Sequence, residues 1–129
     1  MGIERIGSGV SAAGGNRLPF SKAVRAGDFV FVSGQIAMGP DGEVIAGGIV
    51  EQTHKTLENV QAILAAAGLT LTDVVKATVW LDDARDFSSF NRVYAKYFDG
   101  HLPARSCVRA QLMSACKVEI EVIAYAGSR

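Results

Sequence analysis

The stretches LPARSCV at residues 102–108 and KVEIEVIA at residues 117–124 decide how the C-terminal part of this chain folds. The second stretch alternates polar and apolar side chains, and both contain residues that favour strands. In a strand every second side chain lies on the same face, so Arg105 shares a face with Cys107, and Glu119 shares one with Glu121. The two stretches therefore predict two strands that carry an arginine and a pair of glutamates.

Arg105 has the clearest chemical meaning in these strands, because no carboxylate stands next to it in the sequence. A guanidinium held by a strand offers a rigid fork of donors that fits a planar carboxylate or a phosphate. It cannot act as an acid or a base, since it does not lose its proton in proteins. Two interpretations stay open: Arg105 binds an anionic ligand, or it forms a structural ion pair with Glu119 or Glu121.

Hydrophobic patterns predict the remaining elements of an α+β fold. In chain order they are a hairpin over 17–35, a turn over 39–42, a helix over 50–67, a strand over 74–81, a helix capped by Asp86, and strands over 105–111 and 117–126. The second helix carries an aromatic stripe that we assign to the core, namely Phe87, Phe90, Tyr94 and Tyr97. Elements in this order predict a mixed β-sheet with two helices on one face.

The length of 129 residues predicts a single domain over 1–129. Its strands hold more β-branched surface than two helices on one side can bury, at positions Val30, Val32, Val79, Val118, Ile120 and Val122. A bare apolar sheet face on a protein implies a partner surface. The residues alone therefore indicate an oligomer.

Charge and composition argue against several classes of binding partner. The 13 basic and 13 acidic residues give a formal net charge of zero, which argues against a nucleic-acid partner. Cys107 and Cys116 have no CxxC spacing, and His54 and His101 are isolated, which argues against a disulfide framework and a zinc site. The N-terminus has no apolar signal core, and no apolar run approaches the roughly 20 residues of a membrane span. We therefore expect a cytoplasmic protein without a membrane partner.

Four segments resemble the Rid family (RidA/YjgF), the reactive-intermediate deaminases. They are LPFSKAVRAGDFVFVSGQIA at 18–37, the helix and strand at 52–81, FNRVYAKYF at 90–98, and the two C-terminal stretches. The resemblance covers nearly the whole chain in order and spacing. It implies a chorismate-mutase-like fold and a homotrimer whose sheets pack around a three-fold axis, with clefts between subunits. It also implies hydrolysis of 2-imino (2-enamino) acids to 2-oxo acids and ammonia, with no metal or organic cofactor.

The resemblance also assigns roles to individual residues. Arg105 would bind the carboxylate of a small-molecule substrate, and Glu119 would orient or deprotonate the attacking water, with Glu121 as its rival. Further substrate contacts would come from the backbone of Cys107 and from Ser33, Phe20 and Asn91.

Two departures from the family pattern bear on this assignment. Phe20 stands where the best-studied branch often has tyrosine, which keeps an aromatic wall and removes a hydroxyl. The usual LP after the arginine strand is replaced by LMSA at 112–115, which predicts a different loop. His101 is a further candidate for the cleft. Other functions stay open: deamination of another catabolic enamine such as an aminomuconate, endoribonuclease or translation-inhibitor activity, and a non-catalytic module that binds carboxylate metabolites.

Overall fold

A six-stranded mixed sheet forms the framework of the molecule, whose structure is a computed structural model that describes residues 2–9 and 17–127. The strands lie in the order β1-β2-β3-β6-β4-β5, and only β4 and β5 run parallel. They are β1 (Ile3–Ser8), β2 (Ser21–Ala26), β3 (Phe29–Gln35), β4 (Val74–Leu81), β5 (Ala104–Arg109) and β6 (Val118–Tyr125). The predicted α+β fold with a mixed sheet is therefore confirmed.

Two α-helices connect the strands, as the periodicity predicts. Helix α1 (Ile49–Ala66) packs on β3 and β6, and helix α2 (Phe87–Phe98) packs on α1. The backbone N–H of Gly48 donates to Glu51 Oε1 at 2.8 Å, which satisfies one free donor at the start of α1. Asp86 precedes α2, but its side chain makes no capping hydrogen bond, so the predicted cap is wrong in that detail.

The turns fall where the sequence places them. Gly27 adopts φ 60°, a left-handed conformation that glycine reaches without strain, and it joins β2 to β3. Gly42 N donates to Gly39 O at 3.1 Å, which closes the predicted turn. Strand β1 was not predicted. It lies at the edge of the sheet and its side chains are mostly exposed, so it lacks the alternating apolar pattern of a half-buried strand.

The six β-branched residues that were expected to exceed what two helices can bury all lie on the face that the helices cover. Their exposure ranges from 0% to 3%, for Val30, Val32, Val79, Val118, Ile120 and Val122. The register explains this, because Val79 pairs with Ile120 and Val32 pairs with Val122, so their side chains share a face. Full burial of each such side chain stabilises the fold by about 1.5–3 kcal/mol. The helices do bury this set, so the claim that it exceeds what they can cover is wrong, and the set gives no support to the predicted oligomer.

The opposite face of the sheet carries a different set of apolar side chains. It carries aromatic and aliphatic side chains that are 37% to 48% exposed: Phe29, Phe31, Val108 and Tyr125. The rings of Phe29 and Tyr125 contact each other with centroids 5.4 Å apart. We call these four side chains the open face. Within the part of the chain that the structure describes, no helix is long and apolar enough to cross a membrane.

Candidate functional site

The side chain of Arg105 lies between its own strand, β5, and helix α2. Arg105 pairs in register with Ala77, which is fully buried, so its side chain points to the face that the helices cover. The guanidinium carbon stands 4.8 Å from the ring centroid of Tyr94 and 5.6 Å from that of Phe90. Nη1 donates to Asn91 Oδ1 at 2.8 Å. Helix α2 therefore supports the guanidinium with π faces and fixes its orientation with one hydrogen bond.

The spacing of α2 accounts for this support. Residues three and four apart lie on the same side of a helix, and Phe87, Phe90, Asn91 and Tyr94 follow that spacing. Phe90 and Tyr94 are buried, as predicted for the aromatic stripe. Phe87 is 44% exposed and lies 5.7 Å from the Arg105 guanidinium, so it is not a core residue.

Arg105 has no carboxylate partner among residues 2–9 and 17–127, whereas Arg85 forms an ion pair with Asp83. The structural ion pair between Arg105 and Glu119 or Glu121 is therefore wrong. Strand β4 separates β5 from β6, and the side chains point to opposite faces. A guanidinium has five N–H donors, and a single hydrogen bond is made here. The remaining fork is free for an anion.

The backbone of Cys107 adds a second donor beside Arg105. Ala110 N donates to Leu81 O at 2.9 Å and continues the ladder between β5 and β4. Because N–H groups alternate between the two edges of a strand, the N–H of Cys107 points away from β4, toward the open edge of the sheet. Burial raises the pKa of the Cys107 thiol, although Arg105 opposes the shift. A thiol in this setting is a poor nucleophile.

Glu119 lies on the opposite face of the sheet, in a cleft of about 800 Å³ that Phe20 and Gly34 also line. Burial raises the pKa of Glu119, and the charge of Glu121 adds to the shift. No side chain at residues 2–9 or 17–127 donates a hydrogen bond to this carboxylate. Gly34 leaves room for it, since a Cβ at that position would overlap Glu119 Oε2.

The predicted site residues thus form two groups. We call Arg105, Asn91 and Cys107 the arginine site. We call Phe20 and Glu119, together with Gly34, which was not predicted, the glutamate cleft. Two further predicted residues belong to neither group. Ser33 Oγ donates to Ser21 O at 2.6 Å across β2 and β3, and His101 packs edge-on against Phe98 with centroids 6.2 Å apart. The described part of the chain contains no cluster of three or more His, Cys, Asp or Glu side chains that could hold a metal ion.

Comparison with known proteins identifies the fold. The family model Endoribonuclease L-PSP matches residues 12–126. The chain belongs to the RidA/YjgF family. A RutC family protein of Pyrococcus horikoshii is 49% identical over 109 residues, which cover 83% of this chain and 86% of that protein. A 2-iminobutanoate/2-iminopropanoate deaminase of Capra hircus is 45% identical over 111 residues, which cover 84% of this chain and 81% of that protein.

A solved structure from this RidA/YjgF group carries a small ligand. The crystal structure of E. coli TdcF with bound serine superimposes with a TM-score of 0.82 at 39% identity, and covers 95% of this chain and 98% of that one. Its ligand is an amino acid, which has a carboxylate.

The sequence interpretation missed two features of this RidA/YjgF chain. Tyr94 and Phe90 were assigned to the core alone, although their rings also support Arg105. Gly34 was not singled out, although its missing side chain makes room for Glu119. The i, i+3, i+4, i+7 spacing of aromatic and amide residues in α2 was visible in the sequence. Its contact with an arginine on another element was not.

Proposed function

We propose that this protein hydrolyses 2-imino acids to 2-oxo acids and ammonia. The observation that carries the proposal is Arg105, which is oriented by Asn91 and Tyr94 and has no carboxylate partner in the described residues. A preoriented fork of this kind fits the carboxylate of a small 2-imino acid. Relatives at 45% and 39% identity that are named 2-iminobutanoate/2-iminopropanoate deaminase support the same chemistry.

The reaction needs positioning and a proton acceptor. Arg105 and the Cys107 backbone N–H bind the substrate carboxylate and hold the adjacent imine carbon in place. Glu119 takes a proton from a water molecule while the water oxygen bonds to that carbon. Glu119 passes this proton to the nitrogen, and the C=N bond becomes a single bond. The new hydroxyl then gives its proton to the nitrogen while its oxygen forms the C=O bond and the carbon–nitrogen bond breaks, so ammonia leaves with both protons of the water and the 2-oxo acid remains. A carboxylate whose pKa is raised by burial is a stronger base than an ordinary glutamate.

We infer that the working site joins the arginine site of one copy to the glutamate cleft of another. Within one chain the two groups lie on opposite faces of the sheet. Strand β5 is an edge strand, and the open face exposes apolar side chains, so a second copy has both an edge and a face to contact. A homotrimer, which the family resemblance implies, would place such contacts around a three-fold axis. Phe20 would then line the substrate cavity as an aromatic wall without a hydroxyl.

The test is ammonia release from an imine that an amino-acid oxidase generates in the same vessel. Arg105→Ala should abolish the enzyme-dependent rate of ammonia release. Arg105→Lys should abolish it as well, because the ammonium of lysine is a point charge without the two-pronged donor geometry of a guanidinium. Arg109→Ala is the matched control on the same strand, since Arg109 is exposed and its one side-chain hydrogen bond within the described ranges goes to the backbone oxygen of Asp82 at 3.0 Å. Near-full activity of either Arg105 variant would exclude Arg105 as the carboxylate-binding residue, and a wild-type rate no higher than the spontaneous one would exclude this function.

A non-catalytic carboxylate-binding module is the second candidate. The separation of Arg105 from Glu119 within one chain favours it, because one copy by itself offers a carboxylate site without a base. The same assay separates the two: a binder takes up a 2-oxo acid through Arg105 and releases no ammonia above the spontaneous rate.

A further inference from the structure

The hydroxyl of Tyr94 is a buried polar group beside Arg105 that the proposed chemistry does not use. The side chain is 5% exposed, and Oη has no hydrogen-bond partner among the described residues. Burying a hydroxyl without a partner is destabilising. Such a group in a folded protein calls for an explanation, and a role in ligand binding is one.

The surroundings of Tyr94 select the kind of ligand. The Arg105 guanidinium carbon lies 4.8 Å from its ring centroid, so the nearest charge is positive. Burial raises the pKa of Tyr94 to about 12, against the opposing effect of Arg105. The hydroxyl therefore keeps its proton at neutral pH and can donate it to an anion.

A bound carboxylate has enough acceptor sites to take a hydrogen bond from this hydroxyl as well. Its two oxygens offer about four lone-pair sites, of which a guanidinium fork fills two. The N–H of Cys107 is one further donor at the same edge of the sheet. One acceptor site would remain for another group.

We propose that Tyr94 Oη is an additional donor of the carboxylate site and makes its hydrogen bond only when the ligand is bound. The inference rests on the proposed function, because it needs a carboxylate on Arg105. Arg105 is only partly buried and its guanidinium carbon lies 4.8 Å from the Tyr94 ring centroid, so a carboxylate bound to Arg105 would lie beside Tyr94. Tyr94 thus stays unpaired in the free protein and gains a partner on binding.

Tyr97 provides a matched control on the same helix. Its hydroxyl already bonds to His54 Nδ1 at 2.8 Å and joins α2 to α1. Tyr97→Phe removes a bond that the free protein makes, whereas Tyr94→Phe removes none. The two substitutions delete the same atom from the same residue type and should have opposite effects.

The experiment measures the Kd of 2-oxobutanoate by titration calorimetry and the denaturant midpoint without ligand. Tyr94→Phe should raise Kd about tenfold or more, the effect of losing a hydrogen bond to a charged group, without lowering the midpoint. Tyr97→Phe should lower the midpoint and leave Kd unchanged. Wild-type affinity in Tyr94→Phe overturns the inference, and so does a variant that loses stability or does not fold, since either makes the hydroxyl structural.

Arg105→Ala in the same titration separates this inference from the function on which it rests. If Arg105→Ala binds 2-oxobutanoate as tightly as the wild type, the carboxylate site on which the proposed function rests is wrong. If Arg105→Ala loses binding while Tyr94→Phe retains it, the carboxylate site stands and only the role of Tyr94 is wrong.

Discussion

Arg105 and Glu119 lie on opposite faces of one sheet, with strand β4 between their strands. Arg105 pairs with Ala77, which is buried under the helices, whereas Glu119 pairs with Trp80, whose side chain lies on the other face. Alternation along β4 keeps the two side chains apart. One chain therefore cannot bring both charged groups to a single small substrate, and a reaction that uses both needs two copies.

Mixing two inactive variants tests this arrangement. Arg105→Ala retains the glutamate cleft, and Glu119→Gln retains the arginine site, so a mixed oligomer would rebuild intact clefts. With random assembly about one cleft in four should contain both wild-type groups. Co-expression should thus restore about a quarter of the wild-type ammonia release, while each variant alone stays inactive. No recovery in verified mixed oligomers would place both groups in one subunit's site.

The two glutamates of β6 should differ in their effect on turnover. Glu119→Gln keeps the shape and loses the base, so kcat should fall by about 10²- to 10⁴-fold. The Kd of a 2-oxo acid should change little, since binding depends on Arg105. Glu121→Gln should have a much smaller effect on kcat. A reversed result would move the base to Glu121.

The raised pKa of Glu119 predicts a specific pH profile. Its causes are burial first and the charge of Glu121 second. A base acts when ionised, so kcat/KM should rise with pH through a pKa above that of an ordinary glutamate. Glu121→Gln should shift this acid limb to lower pH, and only in part, because burial remains. If the acid limb of the kcat/KM profile does not move, the charge of Glu121 is excluded as a cause of the raised pKa of Glu119.

The raised pKa of Glu119 also affects the free energy of unfolding. A carboxyl group whose pKa is higher in the folded state favours folding when protonated, and this stabilisation is lost as the pH rises through the folded-state pKa. Glu119→Gln should therefore unfold at higher denaturant concentration than the wild type above that pKa. The difference should disappear below the pKa of an unfolded glutamate.

Gly34→Ala should displace the side-chain carboxylate of Glu119. The new Cβ would overlap Glu119 Oε2, so the carboxylate must move. A displacement of about 1 Å can lower a rate by about 10²-fold, and the Kd of a 2-oxo acid should stay near the wild-type value. Gly39→Ala is the control in the same cleft, because its Cβ would meet its neighbours at ordinary distances of 3.4–3.6 Å. Equal activity of the two variants would contradict the assignment.

Charge on the open face should separate assembly from folding. Phe31 is 45% exposed, so Phe31→Glu should leave the chain folded and convert the expected trimer to monomers in light scattering. Val79 is fully buried, so Val79→Asp should destabilise the fold by several kcal/mol. A wild-type chain that is monomeric at micromolar concentration would contradict both the trimer and the shared site.

The sequence determined the elements and most of their boundaries. Alternation predicted β4 and β6, and apolar periodicity predicted α1 and α2. It missed β1, because an exposed edge strand is held by backbone hydrogen bonds to β2 more than by buried side chains. The residues of the candidate site were also named from the sequence, since their types and order match the RidA/YjgF pattern.

Only the tertiary structure decided which of these residues lie together. Alternation fixes that Glu119 and Glu121 share a face, but it cannot say which face of the sheet faces the helices. The pairing of β4 with both β5 and β6 settles that question and places Arg105 and Glu119 on opposite sides. The contact of Arg105 with Tyr94 likewise joins a strand to a helix through packing. Local sequence patterns carry no information about such packing, because it depends on how distant elements meet.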